Sequence, residues 1–207
     1  MDPVKLADKY GTDALRYFLL REIPFGEDGD FSEDALIKRI NGDLANDLGN
    51  LLHRSLTMLE KYFQGVVPKP GPGDAFDKPL ISRFKDLPKK YFQAMEDLEF
   101  GRALDSIWSL INTANKYIED VKPWNLSRQN NFARLATVVY NLAGVLRRVA
   151  ILIYPFIPAT SSKMLKALGL PSDKRGGQAT FEDLLAGASF PPGTKVNKGE
   201  PLFPRIV

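Results

Sequence analysis

The chain has 207 residues, 44% hydrophobic and 26% charged, the balance of a globular protein long enough to bury a core of its own. With no cysteine and a single histidine, disulfide frameworks, thiolate zinc sites and multi-histidine centres are excluded. The net charge of +3 hides an asymmetry: residues 1–50 carry 6 Lys/Arg against 11 Asp/Glu, whereas 125–180 carry 8 (Arg128, Arg134, Arg147, Arg148, Lys163, Lys166, Lys174, Arg175) against Asp173 alone.

In chain order, nearly every long segment repeats its apolar residues at the helical period. Asp2 before Pro3 starts a short helix, and Gly11-Thr12-Asp13 ends it and caps a second over 13–21. After a turn rich in glycine and acids, Ser32 caps a long helix running to about residue 63, on the order of 45 Å at 1.5 Å per residue. Its first turn holds Glu33 and Asp34, which complement the helix dipole. Gly42 and Gly49 lie inside it at a cost of roughly 1 kcal/mol each.

Residues 65–77, rich in proline and glycine, read as a linker. A helix over 79–95 follows, with Pro88 expected to kink or break it. The next, over 99–121, aligns Leu104, Ile107, Ile111, Ala114, Ile118 and Val121 on one buried stripe, and Pro123 stops it. A helix over 126–154 aligns Leu135, Val139, Leu142, Leu146, Val149 and Ile153, with Arg134 and Arg148 on the opposite side. A last helix over 158–168 ends at Gly169 and Pro171, and the Gly/Pro-rich tail holds at most a helical turn at 181–185. The predicted fold is all-α, an antiparallel helix bundle. Its expected parts are a connecting segment (1–31), the bundle (32–171) and an irregular return segment (172–207).

The most apolar run, 149–159, is too short to span a bilayer and contains Pro155 and Pro158. The N-terminus lacks the apolar core of a signal peptide. A cytoplasmic protein without membrane association is expected, and Asn125-Leu126-Ser127 is then a chance glycosylation match.

Catalytic motifs are absent. There is no phosphate-binding loop, no G-x-G-x-x-G and no G-x-S-x-G elbow. His53 and Ser55, two apart on a helix, cannot face each other, and Asp43 and Asp47 read as solvated charges. The long helix offers something else. At 100° per residue, Asn46, Asn50 and Arg54 fall at about −40°, 0° and +40°, away from the apolar Leu44, Leu48, Leu51, Leu59 and Tyr62. Asn presents a donor and an acceptor suited to a base edge, and Arg a fork for a base or phosphate. The same stripe also suits a plain solvent face.

Lys122-Pro123-Trp124 is the second candidate. Proline places Trp124 at a corner between helices, where an indole either packs inward or stacks an unpaired base. Lys122, Asn125 and Arg128 flank it with groups suited to RNA. Trp108, beside the buried stripe, reads as core.

These residues resemble a known family. The run from Lys9-Tyr10-Gly11-Thr12-Asp13-Ala14-Leu15-Arg16-Tyr17 to Phe25-Gly26-Glu27-Asp28-Gly29-Asp30-Phe31 is similar to the segment that follows the catalytic half of methionyl-tRNA synthetases. The resemblance continues through Asn46-Asp47-Leu48-Gly49-Asn50-Leu51-Leu52-His53-Arg54, Asn115-Lys116-Tyr117-Ile118 and Lys122-Pro123-Trp124 to Leu202-Phe203-Pro204-Arg205-Ile206. The family's two catalytic signatures are not found in this sequence. The late Ser162-Lys163-Met164-Leu165-Lys166 only superficially matches the second.

The resemblance therefore implies an anticodon-binding half that catalyses nothing alone. It implies that Asn50, Arg54 and Trp124, with Pro123 shaping the corner, recognise the CAU loop of methionine tRNAs. Asn46, His53, Lys122, Asn125 and Arg128 rank as secondary contacts. The implied partners are initiator and elongator methionine tRNA and the catalytic half, with neither membrane nor DNA. No cofactor is expected in this chain, since ATP and any zinc would belong to the catalytic half. The basic 125–180 segment would track phosphates. Two other readings stay open: a helical protein-interaction module, and the equivalent domain of another class I synthetase.

Overall fold

The computed structural model describes residues 2–29, 31–170 and 189–206. Asp2 caps α1 (Pro3–Tyr10) by accepting from the Val4 N–H at 3.0 Å. Gly11, at φ +89°, turns the chain directly into α2 (Thr12–Glu22). Asp13 therefore lies inside α2 rather than capping it. Its carboxylate instead accepts from the Thr160 N–H at 2.6 Å, in the first turn of α9 (Pro158–Ala167), where the orphan donors of a helix start favour an anion.

Ser32 caps α3 (Glu33–Arg39) as expected, accepting from the Ala35 N–H. The helix then widens into a π-helical stretch (Ile40–Gly49) before continuing as α4 (Asn50–Phe63). The Asn50 N–H reaches back to the Ala45 carbonyl, five residues away. The long helix is thus continuous but not uniformly α. Leu44, Leu48, Leu51 and Leu59 are all buried.

The linker does not float. Val67 and Gly65 exchange backbone hydrogen bonds with Gly193, Thr194 and Val196. Among the described residues this isolated bridge, Val66 to Lys195, is the sole β feature. The linker's far end is clamped by Arg134, which forks onto Asp74 (2.7 and 2.8 Å) and reaches Asp77 at 2.7 Å.

α5 (Asp77–Glu96) runs unbroken through Pro88, contrary to the expected break. Proline removes the hydrogen bond to the carbonyl four residues back; here that is Phe84, and the Arg148 guanidinium donates to it instead. α5 packs along α6 (Phe100–Val121), and α8 (Phe132–Leu152) returns beside α4 and α6. The expected helix over 126–154 is two. α7 (Pro123–Arg128) and α8 are separated by a turn with Asn130 at φ +57°, and Asn131 caps α8.

Arg134 and Arg148 do not face solvent as predicted. They are 6% and 3% exposed, drawn in by the acids of the linker and by the freed carbonyl of α5. α8 is long and apolar enough to cross a membrane by composition, but it is the core helix of the bundle. The predicted stripes of α6 and α8 form that core. Gly169, at φ +70°, lets the tail cross α9's end: a Cβ there would lie 2.0 Å from the Lys195 carbonyl oxygen. The predicted turn at 181–185, and Lys174 and Arg175, lie outside the described residues.

Candidate nucleic-acid interface

One end of the bundle gathers the end of α6, the start of α5 and the start of α8. The Tyr117 hydroxyl donates to Asp77 at 2.6 Å, and Arg134 joins the same carboxylate. Burial pushes the Tyr117 hydroxyl well above its ordinary range, and the Asp77 carboxylate beside it adds to the shift. Burial also works to raise Asp77. The Tyr117 hydroxyl, the Asp74 N–H and Arg134 outweigh it, so that carboxyl sits below its ordinary 3.8.

The α6–α7 corner stands on this base. Lys122 closes α6 at φ +50°, a left-handed conformation costly for a residue with a Cβ. Strain of this kind persists where the surroundings over-determine it. Pro123 is buried in the first turn of α7, where its missing N–H is harmless. Together they set Trp124 at the surface, 36% exposed, between exposed Lys122 and half-buried Asn125. Arg128, at the end of α7, is exposed. Trp108 is 4% exposed, in the core as predicted, its ring 4.7 Å from that of Tyr17.

The long helix meets this corner through Arg54, whose guanidinium pairs with Glu119 at 2.6 Å. Glu119 lies in the last turn of α6, immediately before the corner. Asn46, Asn50 and His53 lie on the adjoining face of the long helix. They line a groove of about 350 Å³, closed on its other side by Pro201, Leu202, Phe203 and Arg205 of the tail. The polar stripe of the sequence is therefore divided. Asn46 and Asn50, joined by His53, share the groove, while Arg54 leans to α6. The π-helical stretch between Ile40 and Gly49 departs from the regular 100° spacing assumed for that stripe.

Arg205 donates to the Asn46 side chain at 3.3 Å, and Asn41 pairs with both the N–H and the C=O of Ile206 at 2.9 Å. These bonds hold the tail along the long helix. Asn115 donates to the Asp47 carbonyl at 3.1 Å, fixing α6 against the π-helical stretch. Sequence reasoning did not single out Phe203, Arg205 or Glu119 as part of a site. The motif ending in Arg205 and Ile206 was a usable signal for the first two; nothing local signals that Glu119 meets Arg54.

A family described as the anticodon binding domain of methionyl tRNA ligase matches residues 67–207, and one described as tRNA synthetases class I (M) matches 1–56. The methionine–tRNA ligase of Caldanaerobacter subterraneus subsp. tengcongensis is 52% identical over 207 residues, all of this chain and 32% of that protein. Methionine–tRNA ligase 1 of Bacillus cereus is 47% identical over 208 residues, covering 100% of this chain and 31% of the relative. The chain spans about a third of the length of these relatives. The apo methionyl-tRNA synthetase of Mycobacterium tuberculosis superposes with a TM-score of 0.91 at 38% identity, over 100% of this chain and 41% of that one. Its methionyl-adenylate complex gives a TM-score of 0.90, again at 38% identity, over 99% of this chain and 40% of that one. Matched along its whole length by these proteins, and over 67–207 by a profile specific to one domain, the chain belongs to the anticodon-binding domain family of methionyl-tRNA ligases.

Proposed function

We propose that this chain binds the anticodon loop of methionine tRNAs, initiator and elongator alike, and reads CAU without catalysing a reaction itself. Trp124 stacks the first anticodon base. Asn50 and Arg54 read polar edges of the splayed bases, in the manner of single-stranded RNA recognition. Asn46, His53, Lys122, Asn125 and Arg128 make secondary contacts. The observation that carries this reading is the Arg54–Glu119 ion pair, which brings the long helix's arginine to the turn preceding the half-exposed Trp124.

ATP, methionine and any zinc belong to a catalytic half with which this domain works in the cytoplasm. Competition binding tests the proposal: a CAU stem-loop should displace a labelled CAU probe far better than the same stem with a changed anticodon. Equal displacement by both would refute base reading. A panel of loops for other class I synthetases distinguishes a related domain of different specificity.

A further inference from the structure

The basic 125–180 segment is a poor candidate for a phosphate track, because Arg134 and Arg148 are sunk in the bundle. A different row of cations faces out. Lys78, Arg83, Lys85, Lys89 and Lys90 of α5 are all exposed, and between Lys78 and Lys90 the one exposed acid is Asp86. At 100° per residue Lys78, Lys85 and Lys89 fall within about 40° of one another, opposite the buried Leu80, Leu87 and Tyr91. They span about 16 Å along the helix axis.

The row is dense, five exposed cations between Lys78 and Lys90, and, like Lys122 and Arg128 at the corner, it has no carboxylate partner among the described residues. Elsewhere Lys9 pairs with Glu33, Arg21 with Asp105, Arg39 with Glu22 and Asp43, Arg54 with Glu119, Arg102 with Glu99, and Lys116 with Asp120. Unneutralised like charges in a row repel one another and favour a polyanion. Position completes the case. Because Tyr117 bonds to Asp77, the start of α5 lies at the same end of the bundle as the close of α6. The row therefore begins, at Lys78, at the end of the bundle that carries Lys122 and Trp124.

We infer that the outer face of α5 binds the phosphate backbone of the RNA stem whose loop is held at the α6–α7 corner. This rests on the proposed function for its ligand, but its chemistry is separate: Lys78, Lys85 and Lys89 contact phosphates and carry affinity without reading sequence.

The test is a Lys78→Gln/Lys85→Gln/Lys89→Gln variant of this chain, titrated by fluorescence anisotropy over a salt series. Its ligands are a CAU stem-loop, the same stem with a changed loop, and the CAU loop as a short single strand. The variant should bind both stem-loops about tenfold more weakly at low salt. The slope of log K against log salt should fall by about 2 to 3, near 0.9 per lost duplex phosphate contact. Preference for CAU and affinity for the stemless strand should stay unchanged. The corresponding Lys→Arg variant should behave as the parent, separating charge from folding.

Unchanged slopes for the Gln variant would overturn the inference, as would an equal loss on the stemless strand. If the parent binds both stem-loops equally, the anticodon reading fails, and the slope comparison still decides the role of α5.

Discussion

Arg148 fills the place of a backbone hydrogen bond that Pro88 removes. Its guanidinium donates to the Phe84 carbonyl and lies 3.4 Å from the centre of the Phe84 ring, so a helix with proline in its middle stays unbroken. Burial, with Arg147 next to it, lowers the Arg148 side chain to about 10. Keeping the charge there is costly, and the carbonyl and ring offset that cost. Arg148→Met should destabilise the fold by about 1 to 3 kcal/mol, the penalty for a buried carbonyl left unpaired. In a Pro88→Ala background the restored backbone N–H can reach the Phe84 carbonyl, and the same Arg148 substitution should cost clearly less. A double-mutant cycle by urea denaturation measures the difference; additivity would contradict the account.

Acid should loosen the end of the bundle that carries Trp124. The Asp77 carboxyl is held below its ordinary 3.8, so its contribution is fully present above that pH and disappears as pH falls through its lower folded value. Asp77→Asn should cost about 3 kcal/mol at neutral pH, since Arg134 loses one partner in the interior. The variant should also lose less stability than the parent between pH 4 and strong acid. Thermal unfolding across that range would show the two curves converging.

Trp124→Ala should weaken CAU stem-loop binding by roughly 1 to 3 kcal/mol. With the indole 36% exposed, its covered part should also cost some stability, roughly 1 to 3 kcal/mol, so affinity is compared where both proteins are fully folded. A large loss of stability with intact RNA affinity would reassign the residue to packing.

Arg54→Ala removes a pair whose Glu119 side is 60% exposed, and such pairs contribute at most about 1 kcal/mol. Its effect should fall on discrimination: binding to CAU and to altered loops should become more alike. Isothermal titration against both RNAs distinguishes this from a uniform loss.

Asn41→Ala deletes both hydrogen bonds to the Ile206 backbone. Each contributes about 0.5 to 1.5 kcal/mol, so amide exchange in 200–206 should accelerate while that of α6 and α8 stays unchanged.

The apolar stripes of α6 and α8 were legible because burial imposes the helical period on the sequence itself. Leu104, Ile107, Ile111, Leu135, Val139 and Leu146 are all buried as their spacing predicts. Arg134 and Arg148 were not, because what buries them is remote in sequence: Asp74 and Asp77 in one case, a carbonyl freed by Pro88 in the other. The Asn46, Asn50 and Arg54 stripe was legible as polar residues on one helix. That the last pairs with Glu119 while the first two line a groove with Arg205 depends on partners far along the chain, the end of α6 in one case and the tail in the other.

Those wide turns have an engineering consequence. Between Ile40 and Gly49 the helix holds more residues per turn than on either side, so this is where its length can change without breaking it. Deleting one residue would let the coil tighten, and because each remaining residue then turns further, Asn41 and the strap it anchors would rotate relative to Asn50 by less than the roughly 100° that the same loss causes in a regular α-helix. The groove width is thus governed like a screw thread, by how many residues are wound into the coil as much as by which ones they are.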